Sequence, residues 1–178
     1  MKRLLLVLFI MMLFAASLSA QQAAEITFTF THQSGHATNQ FAVWVEDAQG
    51  QYIKTLYATR FTANGGFIRR TSSIPTWVKK SNLEDMNKAQ IDAISRATPK
   101  TGALSYTWDG TNSHGTPVPE GDYTLVLEGT LRWENQVMYR ANVQFGKGAS
   151  AAEVKVEYTG DADAERSMLS DVKARTLR

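Results

Sequence analysis

The feature that most constrains this chain is a two-residue alternation of apolar and polar side chains, which returns repeatedly between turn signals. Ile26, Phe28 and Phe30 alternate with Thr27, Thr29 and Thr31. Phe41, Val43 and Val45 share one face, with Trp44 on the other, and Leu104, Tyr106 and Trp108 alternate with Ser105 and Thr107. A period of two places neighbouring side chains on opposite faces of a strand, whereas a helical face needs a period near 3.6. Further strands are expected over residues 52–58, 67–70, 123–133 and 137–145, and through Val154, Val156 and Tyr158. Turns are expected at 48–51 and 63–66, at Asp109-Gly110, across the polar loop 112–121, at Glu134-Asn135 and at 146–150. About seven or eight short strands with frequent turns predict a mostly β protein, a β-sandwich.

Residues 72–102 break the pattern. Pro75 suits the first position of a helical turn carrying Trp77 and Val78. Asn82 suits an N-cap, and Leu83, Met86, Ala89 and Ala93 have helical spacing, so a short helix is expected from Leu83 to about Ile91. Pro99 restricts the residue before it and ends any helix there. The segment reads as a short helical insertion, and long insertions in compact domains often carry function. Beyond Gly160 the chain is charged. Met168, Leu169 and Val172 read as one face of a short helix or as a frayed end. The expected organisation is therefore a domain over residues 21–160 and a C-terminal tail over 161–178.

The N-terminus predicts export. Lys2 and Arg3 precede an uncharged apolar run over residues 4–16, and small residues lead to Ala20. This order is that of a secretory signal peptide, and the run is shorter than the roughly 20 apolar residues a spanning helix needs. Residues 1–20 are expected to be cleaved after Ala20, giving a periplasmic protein that is not itself membrane-spanning. Loss of Lys2 and Arg3 takes Lys plus Arg from 19 to 17, equal to the 17 Asp plus Glu. A neutral chain gives no reason to expect nucleic acid or an anionic membrane as a partner. The absence of cysteine excludes disulfides, thiol chemistry and cysteine-based metal sites.

Tyr106-Thr-Trp108-Asp109-Gly110, followed by Pro119-Glu-Gly121-Asp-Tyr123, resembles the W-D-G…P-x-G-x-Y pattern of FlgD-like immunoglobulin (Ig)-like domains. The resemblance implies an Ig-like sandwich in which Trp108 packs near Tyr123. With the first strand, the Tyr52-Ile-Lys-Thr-Leu56 strand and the Trp77 insertion, the whole chain resembles an uncharacterised family of predicted bacterial periplasmic proteins.

Inside the insertion, Asp92-Ala-Ile-Ser95-Arg-Ala97-Thr98 resembles the D-G-x-S/T-G-A-T motif at which an ApbE-type flavin transferase attaches FMN to threonine. Asp92, Ser95, Ala97 and Thr98 match. Ala93 and Arg96 stand where the motif has glycine. The resemblance implies a phosphoester on the Thr98 hydroxyl, which the small Ala97 leaves reachable, and Asp92 orienting the segment or meeting the transferase's metal. Arg96 and Lys100 would neutralise the remaining phosphate charge, and Trp77 would stack on the flavin ring. It implies an electron carrier more than a stand-alone enzyme, with an ApbE-type transferase as maturation partner and a PepSY-type membrane protein as redox partner. The second reading is a non-catalytic Ig-like adaptor that binds an envelope protein through the insertion, Trp77 included, or through a sheet edge.

Other chemistry is less supported. His32, His36 and His114 read as loop imidazoles, since a metal site needs three or four convergent ligands. Glu46, Asp47, Asp109, Glu120 and Asp122 read as turn formers or solvated surface. Arg69, Arg70, Lys79, Lys80, Lys88, Arg96 and Lys100 gather around the insertion. With Trp77 interleaved they read as a binding face for an anion or a partner, or, with Glu84, Asp85 and Asp92 among them, as a solvated rim, the reading slightly favoured. No hydrolase or phosphate-loop motif is present.

Overall fold

A computed structural model describes residues 22–35, 37–161 and 163–178. The expected leader, and His36, fall outside the described residues. Ten strands form two sheets. The four-stranded sheet runs β5 (Gly102–Trp108), β1 (Ala23–Phe30), β10 (Leu169–Leu177), β8 (Ser150–Ala152). The six-stranded sheet runs β4 (Ser95–Arg96), β3 (Tyr52–Thr59), β2 (Gln40–Asp47), β6 (Gly121–Arg132), β7 (Asn135–Phe145), β9 (Val154–Thr159). The pairings are antiparallel except for β3 with β4. The two sheets pack as the predicted sandwich.

The alternation decides what lies between them. Ala24, Ile26, Phe28 and Phe30 of β1 meet Phe41, Val43 and Val45 of β2 and Leu125 and Leu127 of β6 in one buried core. Trp108 lies 4.7 Å from Tyr123 between ring centroids, as the W-D-G resemblance implied, and 4.7 Å from Phe145. Gly110 adopts a φ of 71°, and a Cβ there would strike the Phe145 ring, so the turn needs glycine for two reasons.

The outer face of the six-stranded sheet is also buried over β2 and the middle of β6. Residues 60–94 lie over it, adding a third, irregular layer: a kinked turn Thr62–Gly66, a helical turn Phe67–Arg69, a helix Pro75–Lys80, a 3-10 turn Leu83–Asp85 and a helix Lys88–Ile94. This layer encloses a second apolar cluster containing Ala42, Trp44, Ala58, Ile74, Trp77, Leu83 and Val126.

Four local expectations are corrected. Residues 67–70 are not a strand, because they belong to the covering layer and find no strand partner. The single helix expected from Leu83 divides in two. Asn82 is left-handed (φ 53°), and Asn87 is the true cap of the second helix, exchanging hydrogen bonds with Gln90 in a capping box. That helix stops at Ile94, five residues before Pro99, because the chain becomes extended at Ser95 to pair with β3. The β6–β7 turn is Trp133-Glu134, one residue earlier than expected, since Arg132 pairs with Asn135.

The expected tail is the largest correction. Leu169–Leu177 is β10, an interior strand of its sheet, between β1 and β8. Leu169 fills the space left by Gly129 of β6, where a Cβ would lie 2.2 Å from the Leu169 Cδ1. A bulge explains the misreading. The β1 register skips between Thr27 and Thr29, opposite Asp171 at φ 54°. The extra residue stretches the spacing from Leu169 to Val172 to three, which imitates a helix.

Candidate functional site

The flavinylation-like motif begins on the Lys88–Ile94 helix, passes through β4 and ends in an irregular segment over residues 97–101. That segment crosses from the edge of the six-stranded sheet to β5 of the other sheet. It is tied near both ends. The Tyr57 hydroxyl donates to the Ala97 carbonyl at 3.2 Å, and the His32 amide donates to Thr101 Oγ1 at 2.9 Å. Burial pushes the Tyr57 and Tyr106 phenols well above their ordinary range, while the positive charge of Arg96 nearby pulls them back. Both phenols stay neutral.

Between the ties, Thr98 is half-buried, and its hydroxyl makes no hydrogen bond to any described residue. It is not among the described polar atoms sealed from solvent, so it faces water. Arg96 and Lys100 on either side are exposed, as are Asp92 and Ala97. Ala93 and Arg96 both have negative φ.

Two of the predicted site residues do not join this group. Ser95 is buried under the covering layer, and its hydroxyl has no partner. Trp77 is fully buried and offers no face to a flavin or to a protein partner. Its Nε1 donates to Thr55 Oγ1 at 2.9 Å. The reason is positional: Trp77 lies on the face of its helix that packs against β2 and β6, where it contributes to the second core.

The sequence reading missed a polar latch beneath the covering layer. Glu128 of β6 is buried and accepts from the amides of Thr76 at 3.0 Å and Trp77 at 2.7 Å, in the first turn of the Pro75–Lys80 helix. Burial pushes its carboxyl above the ordinary range, and the amides that donate to it hold it back. Thr130 Oγ1 accepts from the Ile74 amide at 2.8 Å and donates to the Ser72 carbonyl at 2.7 Å. This holds Ile74 at a φ of 41°, which a β-branched residue otherwise avoids.

Glu46, expected on the surface, is buried as well. It accepts from Trp44 Nε1 at 3.0 Å and Arg140 Nη1 at 2.9 Å, with Lys80 Nζ 3.3 Å away. Burial pushes its carboxyl up, but those two hydrogen bonds and the Arg140 and Lys80 charges outweigh it, leaving it below the usual range. Lys80 also donates to the Gly50 carbonyl. One clue existed in the sequence: Glu46, Glu128 and Arg140 all fall on the outward phase of strands whose other phase is apolar.

The remaining acids behave as turn formers where hydrogen bonds define them. Asp47 accepts from the Gln49 and Gln51 amides, and Asp109 accepts from the Thr111 amide while pairing with Lys54 at 2.9 Å. His32 and His114 are exposed, and no cluster suited to a metal ion occurs among the described residues. No helix among them is long and apolar enough to cross a membrane.

A comparison with curated proteins finds no match, and one with solved structures finds none. The family model described as predicted periplasmic protein (DUF2271) matches residues 22–164, most of the chain, and the protein belongs to that periplasmic family, whose function is unknown.

Proposed function

We propose that this periplasmic protein carries FMN covalently on Thr98 and serves as an electron carrier. The observation that carries this reading is the state of Thr98: an unpartnered, water-facing hydroxyl on a tethered irregular segment, between exposed Arg96 and Lys100. Attachment needs a donor with an activated flavin phosphate, which a flavin dinucleotide has. The Thr98 oxygen forms a bond to the flavin-side phosphorus, and the bond from that phosphorus to the bridging oxygen breaks. A nucleoside monophosphate leaves with the electron pair, and the hydroxyl proton passes to a base of the transferase. Arg96 and Lys100 are placed to offset the one negative charge left on the phosphodiester. Bound there, FMN would supply one- and two-electron transfer. The partners in this reading are an ApbE-type transferase for attachment and a PepSY-type membrane protein for electron exchange. Neither Trp77 nor the Ser95 side chain takes part. The W-D-G turn, with Trp108 on Tyr123, supports reading the sandwich as Ig-like.

The protein exported with an active ApbE-type transferase should give a fluorescent band on a denaturing gel under ultraviolet light. Thr98→Ala should abolish the band. A dark wild-type band, with the transferase active on another target, would overturn the reading.

A different class of function, a non-catalytic adaptor, is favoured by one observation. β9 is an edge strand, paired only to β7, with Val156 exposed, and such an edge is open to strand addition. An adaptor would remain colourless and would lose its partner when Val156 is changed to lysine.

A further inference from the structure

Three of the exposed large apolar side chains lie on two segments that are bonded together: Phe61 (44 % exposed) and Ile68 (73 %) on the covering layer and Trp133 (54 %) on the β6–β7 hairpin. Single exposed apolar residues are ordinary, but a group of them held in place is not. This group is held. Trp133 occupies the tip of the β6–β7 hairpin, and its carbonyl accepts from Arg70 Nη2 at 2.7 Å and Ser72 Oγ at 3.1 Å. Those bonds join the hairpin to the turn that carries Ile68. Arg70 also donates to the Thr38 carbonyl at 2.7 Å. Phe61 lies against Gly66, where a Cβ would come within 2.6 Å of the ring. Glycine at 66 therefore lets the ring rest on the backbone.

Trp133 is also in the wrong place for local stability. Its φ is 50°, at the first position of a two-residue hairpin turn, where glycine is preferred. A bulky residue at positive φ is an outlier, and such outliers concentrate at functional positions. The other three tryptophans of the chain, Trp44, Trp77 and Trp108, are fully buried. Exposed cations flank it along the chain. Arg60 precedes Phe61, Arg69 follows Ile68 and Arg132 precedes Trp133, while the acids beside the hairpin are Glu134 and Glu165, whose carboxylate accepts from Asn135 at 3.0 Å.

We infer that this patch of the protein docks on a membrane surface carrying anionic phosphate headgroups. The charge argues for that occupant. Apolar tips with tryptophan enter the interface, and the flanking arginines meet the phosphates around them. For a periplasmic protein the surface is the outer leaflet of the inner membrane. The inference stands independently of the flavin reading.

The test is vesicle binding by the exported protein. With vesicles of phosphatidylglycerol and phosphatidylethanolamine it should co-sediment, and its tryptophan emission should shift to the blue. Only Trp133 can give that shift, because the other three are already out of water. Phosphatidylcholine vesicles should bind far less, and added salt should weaken binding to the anionic ones.

Trp133→Gly should lower the partition coefficient about tenfold or more, the value of burying one large apolar side chain. It should keep or raise the melting temperature, because glycine accepts the turn. Arg69→Gln with Arg132→Gln should lower binding about 25-fold, at roughly fivefold per arginine. Failure to bind anionic vesicles would overturn the inference and leave the patch to a protein partner. Binding that persists unchanged in Trp133→Gly would also overturn it, since another surface would then be responsible.

Discussion

Both faces of the six-stranded sheet are buried at β2, but they are sealed by different physics. On β2 the contrast lies within one strand. Phe41, Val43 and Val45 point inward and Ala42, Trp44 and Glu46 outward, and all six are buried. The inner face meets a second sheet, whose backbone groups are already paired with one another. Side-chain shape is the main thing that has to match there, and the core is largely apolar, with Phe41 stacked on Tyr57 at 4.6 Å and edge-on to Phe28 at 5.4 Å. The outer face meets irregular chain, whose amides and carbonyls have no ladder to join. Buried backbone groups must be satisfied. The sheet therefore sends up Glu128 to the Thr76 and Trp77 amides, Thr130 to Ile74 and Ser72, and Gln136 to the Ser72 carbonyl at 3.0 Å. The irregular cover is fixed by several polar side chains aimed at its backbone, whereas the regular cover relies mainly on apolar packing, with Tyr139 donating to the Leu169 carbonyl at 2.7 Å.

The sharpest way to break the comparison is to damage each face separately. Phe41→Ala removes the centre of the inner aromatic group and should cost about 3–5 kcal/mol, with the whole domain losing cooperativity. Denaturant unfolding measures it. Glu128→Ala should cost less, about 2–3 kcal/mol. It strands two buried amides, but it also relieves the desolvation of a carboxylate. Its effect should be local. Amide exchange should quicken across residues 72–94 while β1, β2 and β6 stay protected. Equal loosening of both regions would show that the cover and the sandwich are one cooperative unit.

The same contrast decides what could be read from the sequence. The inner face was legible because its alternation is a direct image of burial: Ile26, Phe28 and Phe30 were assigned together and lie together in the core. The outer face was not. Glu46 looked like a turn residue because it precedes Asp47 and a Gly-containing loop, and nothing local indicates that Arg140, ninety-four positions away, donates to it. Trp77 looked available for a ligand because it follows proline in a polar stretch, although the helix turns it inward. β10 was lost to one bulged residue at Asp171. In the motif at 92–98, Asp92 and Ala97 are exposed and Thr98 is half-buried, but the burial of Ser95, which depends on its pairing with β3, was not legible.

The smallest expected effect is the most specific to the outer face, because it depends on the sign of a charge. Glu46→Gln keeps the shape of the side chain and an acceptor for Trp44, but removes the charge that Arg140 and Lys80 meet. Both cations are partly exposed, so the loss at neutral pH should be only about 1 kcal/mol. Its pH dependence identifies the cause. Folding holds the Glu46 carboxyl below its ordinary value, so the fold favours the charged form. That stability is present above the unfolded-state value and is lost as pH falls through the folded one. The gap between wild type and Glu46→Gln should therefore close in acid. Glu128 has the opposite sign. Burial raises it, so its ionisation costs stability as pH rises through its folded value, and a gap between wild type and Glu128→Gln should move in the variant's favour over that rise. Urea titrations from pH 3 to 8 on the two variants measure both. Opposite slopes would show one buried acid held as a charge and the other buried against its charge. Parallel slopes would mean that the two carboxylates share one environment, and the outer face would then be no different from an ordinary surface.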